Sequence, residues 1–476
     1  MHNRTPRPRK PTECPPPGGG PRSVLLLLVG VLAALLCGKG SMSALAAPTN
    51  EFPPSVDGTP ITLRNAVLRA LKLRPLRKID RDRLKQFKAS ESQARSGLFP
   101  QVSASYQNSY SNSLFGFFLF PGYQFFDTQL TTVTVNQLIF DFGRTFSQLG
   151  QAKWATRAQK ETYQQTSQGI IRDVESAYYA LLQAIEQESV THLNVIDARN
   201  HLDAAVLRLR AGMGLKADVT QAKVNLSNAV LERIQAVNQR KKDQIILATT
   251  MGDSEEVHYV PLLDFPLPDG SLLRLQRDLE RARRRNPGLL AARHQVMSSK
   301  DRLKAAWRQN YPTINGQAQY FLAQIPSQAL GIPGIPNFPY SSFAFSGLVN
   351  IPIFEGGSTM SQVHQARAAL NASMHQEEET KLTVLSQVRQ AFLDIREARQ
   401  ALAETRTELE NAEEYDRLEE GSYQAGKATA LDVIDAQTAL RKARADLVSA
   451  KYALALRVVL YHYAIGDLTP PESPDS

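Results

Sequence analysis

Two stretches decide the fold: RAGMGLKADVTQA at 210–222 and YQAGKATALDVIDAQ at 423–437. Each sets a glycine in a short turn that ends one long proline-free run and starts another. Gly212 and Gly426, the Asp-Val pairs at 218–219 and 432–433, and Ala222 and Ala436 all stand 214 positions apart. Working outward, the same offset aligns NQLIF (136–140) with NIPIF (350–354), and Gly143 with Gly357. It also aligns Val174, Ala177, Tyr178 and Ala184 with Val388, Ala391, Phe392 and Ala398, and Gly252-Asp253 with Gly466-Asp467. Nearer the N-terminus the offset becomes 212, pairing Arg74-Pro75 with Asn286-Pro287 and Pro100 with Pro312. Self-similarity over so long a period is a tandem duplication. Two such units nearly fill the 430 residues beyond position 46.

Around the turns the period is helical. From 143 to 210 there is no proline, and Val174, Ala177, Tyr178, Leu181, Leu182 and Ile185 mark an i, i+3, i+4, i+7 stripe. A run of 68 residues reaches about 100 Å as one helix. Gly212 and Gly214 break it, and a second helix returns from 218 to 251. The second unit repeats the plan over 358–424 and 431–465, with Leu440, Ala443, Leu447, Ala450 and Leu454 as a seam. Helices of this length pair as antiparallel coiled coils. A shorter amphipathic helix from Thr62, ITLRNAVLRALKLRP, is interrupted at Pro75.

Between the short and the long helices the period drops to two. Val102, Ala104, Tyr106 and Tyr110 share one face of 101–110, and Ser103, Ser105, Gln107 and Ser109 the other. Stretches 314–322 and 343–351 alternate likewise, whereas 128–138 carries threonines on both faces. The loops between strands are SLFGFFLFPGYQFF (113–126) and IPSQALGIPGIPNFPY (325–340). Aromatics there suit the girdle or mouth of a membrane barrel, or a loop packed on its own hydrophobes.

Composition removes several function classes. The chain has 476 residues, 42% hydrophobic and 21% charged, a balance that fits ordered structure. Of the net charge of +9, residues 1–46 hold +5, so a basic leader explains the high pI better than a nucleic-acid surface does. Within it, SVLLLLVGVLAALLC (23–37) precedes Ala44-Leu45-Ala46, the layout of a signal peptide cut after Ala46. Lipidation at Cys37 is the alternative, opposed by Leu36 before it, and a start codon downstream of Met1 is a further one. Cys14 and Cys37 are the only cysteines, which leaves no disulfide framework or thiolate metal site beyond the leader. No later run of 18 apolar residues exists, so a membrane role must use strands or a peripheral face. The eight histidines are scattered with no paired ligand spacing. Gly212-x-Gly214-x-x-Ala217 follows a helix and is no dinucleotide fingerprint. Neither an enzyme nor a cofactor or metal site is expected.

The order of these parts resembles the TolC-like outer-membrane efflux protein family over residues 58–467. The resemblance is carried by ITLRNAVLRALKLRP and LLRLQRDLERARRRNP, by LFPQVSASY and NYPTINGQAQY, and by the two hairpin motifs. It implies a mainly α fold with a β membrane part, in which four strands per chain join a shared twelve-stranded barrel of a homotrimer. The helices would hang below as a periplasmic tunnel meeting an adaptor protein and an inner-membrane pump. The implied domains are a signal peptide (1–46), a first repeat (47–252), a linker (253–271), a second repeat (272–466) and a tail (467–476). By the same resemblance Asp432 and Asp435 form an acidic ring at the tunnel constriction. Their i, i+3 spacing puts both on one helix face, and helix capping by Asp432 is the structural alternative. Asp218 and Tyr423 match polar links that hold the tip closed; the family's arginine position holds Ala428, with Lys427 beside it. Gly212, Met213, Gly426 and Lys427 would face the adaptor, or serve only as helix-breaking turns. A secreted coiled-coil protein without a pore is the rival reading; it leaves the alternating strands unexplained.

Overall fold

The computed structural model describes residues 58–112, 125–253, 258–262, 267–268, 274–325 and 338–469. The leader with both cysteines, most of the aromatic loop 113–126 and of the Pro- and Gly-rich loop 325–340, parts of the linker and the last residues of the tail lie outside these. The chain divides into Met1–Phe52 and Pro53–Ser476, and every described residue belongs to the second unit.

The first repeat runs β1 (Thr59–Thr62), α1 (Leu63–Leu73), α2 (Pro75–Ser96), β2 (Gln101–Asn112), β3 (Phe125–Phe140), α3 (Arg144–Arg210) and α4 (Lys216–Met251). After β4 (Tyr259–Leu262) the second runs α5 (Leu275–Arg285), α6 (Pro287–Trp307), β5 (Thr313–Ile325), β6 (Phe338–Asn350), α7 (Ser358–Gln424) and α8 (Ala430–Ile465). The long helices begin and end at positions 214 apart, so the duplication read in the residues is also a duplication of elements. No described helix is long and apolar enough to cross a membrane.

Three features exceed the sequence reading. The chain restarts a helix at Pro75 and Pro287, where proline at the first helical position loses no hydrogen bond. Only Asp80 of α2 is buried, so no apolar stripe announces that helix. Its place follows from length: α4, at 36 residues, returns along only half of the 67-residue α3. The other half is flanked by α2 and α6, through Thr166 Oγ1 to Asp80 (2.5 Å) and Ser298 Oγ to the Gln151 carbonyl (3.0 Å). The third feature is the parallel pair β1–β4, which places strand in the expected linker. The buried Tyr178 hydroxyl pins it by donating to the carbonyls of Leu262 (2.6 Å) and Ile61 (3.0 Å).

Strands β2-β3-β5-β6 form one antiparallel sheet in that order. Residues paired across antiparallel strands share a face. The register therefore stacks the apolar positions: Val102, Val135, Ala318 and Phe345 in one row, Ala104, Val133, Tyr320 and Phe343 in the next. Ser103, Thr134 and Gln319 line up on the opposite face. Both faces are exposed within one chain, with Phe345 at 82% on the apolar face and Leu348 at 61% on the other. NQLIF continues β3 to Phe140, but NIPIF leaves β6 at Asn350, because Pro352 has no N–H to give a ladder.

The main core lies where the repeats meet. Ile170, Ile171, Val174, Tyr178, Leu181, Leu247 and Met251 pack with Val448, Tyr452, Ala455 and Val459 of α8. Toward the turns the cores shrink to small clusters inside each hairpin: Ala205 with Val219 and Ala222 in the first, Ala412 with Leu440 and Ala443 in the second.

Candidate functional site: the hairpin turns and the seam between hairpins

Both turns are built alike. Gly212 and Gly426 take φ of 72° and 73°, in the left-handed region, immediately beyond the long helices. Met213 N–H donates to the Arg208 carbonyl at 2.9 Å, and Lys427 N–H to the Ser422 carbonyl at 2.8 Å. These close the last helical turn, as in a Schellman motif. Met213 is 78% exposed and Lys427 is also exposed.

The aspartates after the turns cap the returning helices. Asp432 Oδ2 accepts from the Thr429 N–H (2.8 Å) and hydroxyl (2.7 Å), and Thr429 Oγ1 accepts from the Asp432 N–H (3.3 Å). This is a complete capping box. The Thr429 N–H, aided by the hydroxyl, holds the Asp432 carboxyl below the usual carboxylate range. Asp435, one turn on, is exposed. At the first turn Asp218 Oδ2 accepts from the Leu215 N–H at 3.1 Å. Among the described residues no hydrogen bond joins Asp218 to Tyr423 within one chain.

Tyr423 is engaged by a residue that motif reading missed. The Arg208 guanidinium lies 3.8 Å from the Tyr423 ring centroid, and its Nη2 donates to the Tyr423 carbonyl at 3.1 Å. Tyr423 is 8% exposed, so this cation–π contact is largely shielded from water. Arg208 is the third of a row on α3. Glu186 accepts from Lys451 Nζ (2.8 Å) and the Tyr452 hydroxyl (2.7 Å), and Asp197 pairs with Arg444 at 3.0 Å. Residues 186, 197 and 208 are 11 apart, three helical turns, and so lie on one face of α3. The spacing lies in the sequence, but nothing local says which helices it faces.

The seam is polar between its links. A cavity of about 280 Å³ is lined by Asn194, Asp197, His201, Asp416, Glu420 and Arg444 among others. Buried oxygens of Asn194 and Asp416 have no partner there. Beyond the main core, toward the turns, small apolar clusters hold each hairpin together, whereas Asp197–Arg444, Arg208–Tyr423 and a polar gap join one hairpin to the other. That makes the seam the cheap place to separate.

The solved structure of VceC from Vibrio cholerae has the same fold, with a TM-score of 0.73 and 20% identity over 85% of this chain and 96% of that one. Outer membrane protein TolC of Escherichia coli is 26% identical over 392 residues, 79% of this chain and 76% of the relative. Outer membrane efflux protein BepC of Brucella suis is 26% identical over 374 residues, 76% and 77% respectively. The family model described as outer membrane efflux protein matches residues 69–253 and 279–459, one match to each repeat, and the chain belongs to that family.

Proposed function

We propose that this chain is the outer-membrane conduit of a tripartite export system, a passive tunnel supplied by an inner-membrane pump through a periplasmic adaptor. The open sheet carries this reading. Four strands with their apolar rows in register have free edges at β2 and β6, and adjoin helices of about 100 Å. Unpaired edge groups are costly in lipid, so copies join edge to edge until the sheet closes. Three copies supply twelve strands. The names of TolC and BepC, an outer membrane protein and an outer membrane efflux protein, agree with this.

In this reading the signal peptide 1–46 directs export, and 47–252 and 272–466 form the two halves of each wall. The turns lie at the periplasmic end, where Gly212, Met213, Gly426 and Lys427 meet the adaptor. Asp432 and Asp435 from three copies give six carboxylates around one axis, a ring that draws cations and is plugged by multivalent ones. Capping by Thr429 supports the ring by keeping Asp432 ionised. Asp218, Tyr423 and Lys427 bias the tip toward closure, together with Arg208. The pump selects the cargo, whether drugs, small molecules or secreted proteins.

The test is single-channel conductance of the purified protein in planar bilayers, beside the variant Asp432→Ala, Asp435→Ala. Cation-selective openings that multivalent cations block in the parent, and do not block in the variant, are expected. Block that survives in the variant removes the ring and keeps the channel. Soluble dimers that never insert favour the pore-less coiled-coil protein.

A further inference from the structure

His201 sits in the seam, where a conduit has no need of a histidine. It is 7% exposed on α3, and its ring centroid is 6.1 Å from that of Tyr423 on α7. Arg208, two turns further along α3, covers the same tyrosine ring. The charged groups around the cavity come from three helices: Asp197 from α3, Asp416 and Glu420 from α7, and Arg441 and Arg444 from α8. Helix α4 contributes the uncharged Asn225. A proton on His201 would therefore place a second cation beside the Arg208–Tyr423 contact, on a residue that is only 7% exposed.

Resting on the tunnel reading for its consequence, we propose that His201 is an acid-sensitive joint: neutral, it packs α7 against α3 below the tip, and protonated it parts them.

The opposing forces can be ranked. Burial, and then Arg208, disfavour the imidazolium, while Glu420 and Asp416 favour it; burial prevails and holds His201 below its ordinary value. A histidine in a parted, solvated seam titrates near the usual value of about 6.5. Protons therefore bind the parted state better. The advantage of the packed seam is full above that value and declines as pH falls from it toward the lower packed value. Asp416 works the other way: burial, with Asp197 and Glu420 nearby, raises its carboxyl, so its own protonation favours packing at lower pH. Parting is thus a weakly acidic response.

The experiment follows seam and pore together. Spin labels at Arg210→Cys and Glu413→Cys, both exposed positions on α3 and α7, report the seam in the purified protein, whose own two cysteines lie in the leader. Bilayer conductance reports the pore. Between about pH 7.5 and about pH 5.5 the label distance is expected to lengthen and mean conductance to rise about threefold. His201→Gln, neutral throughout, abolishes both changes and keeps the conductance seen at the higher pH. Glu420→Gln removes a carboxylate that favours the proton in the packed seam, so protons prefer the parted state more strongly and the midpoint moves to higher pH. A label distance unchanged by acid, a full response in His201→Gln, or a midpoint unmoved by Glu420→Gln overturns the proposal. Lengthening without conductance at any pH supports the joint and rejects the tunnel. Conductance with an acid-invariant distance does the reverse.

Discussion

Tyr423 shows how a residue at the tip is held. Its ring is buried against Arg208 of the other hairpin, and a shielded cation–π contact is worth about 1–2 kcal/mol. Arg208→Gln should therefore loosen the tip and raise channel conductance, while Arg208→Lys, which keeps charge and loses the planar stack, falls between the two. Equal conductance in all three proteins would remove Arg208 from the gate. Glu175 on α3 gives a prediction about stability. Burial pushes its carboxyl up to about 7, above its value in an unfolded chain. The raised value means that stability is greatest while the group is protonated and declines between about pH 4.5 and about pH 7. Glu175→Gln should stabilise the protein by about 1–3 kcal/mol near pH 8 and hardly at all near pH 4, read as a melting temperature at each pH. At this scale Asp432 was legible twice over, as a capping residue and as a carboxylate beside a turn. Arg208 and His201 were not, because a contact between helices leaves no mark within either helix.

At the scale of elements the turns and the core make separate predictions. Gly212 and Gly426 take φ of 72° and 73°, which side chains resist by about 1–2 kcal/mol. Gly426→Val should destabilise the second hairpin by about that amount and increase hydrogen exchange near 420–430, leaving the sheet unchanged. Protection equal to the parent would show that the turn carries no strain. Leu247 is fully buried in the main core, and Leu247→Ala should cost about 3 kcal/mol in thermal or denaturant unfolding. The long helices were readable to within two residues, since their apolar stripes are long and glycines mark their ends. Helix α2 was not readable, because its surface within one chain is almost wholly exposed.

For the whole molecule the sheet is the decisive part. Its four strands end in two free edges, and Ile353 (93%) and Phe354 (87%) just past β6 stand exposed among the described residues. Assembly of three copies accounts for the edges. Mass measurement of the detergent-solubilised protein should give three chains, and heating should convert the complex to single chains with loss of strand signal. A monomer with a stable sheet would contradict closure by assembly. The residues alone determined the duplication, the long hairpins and the alternating strands, because period and helix-ending glycines are properties of local sequence. Tertiary structure alone decided which helices flank the open half of α3 and where the β1–β4 pair anchors. It also decided that the seam between hairpins is polar toward the turns. These depend on surfaces meeting across 80 to 270 positions of chain, and no local pattern encodes that distance.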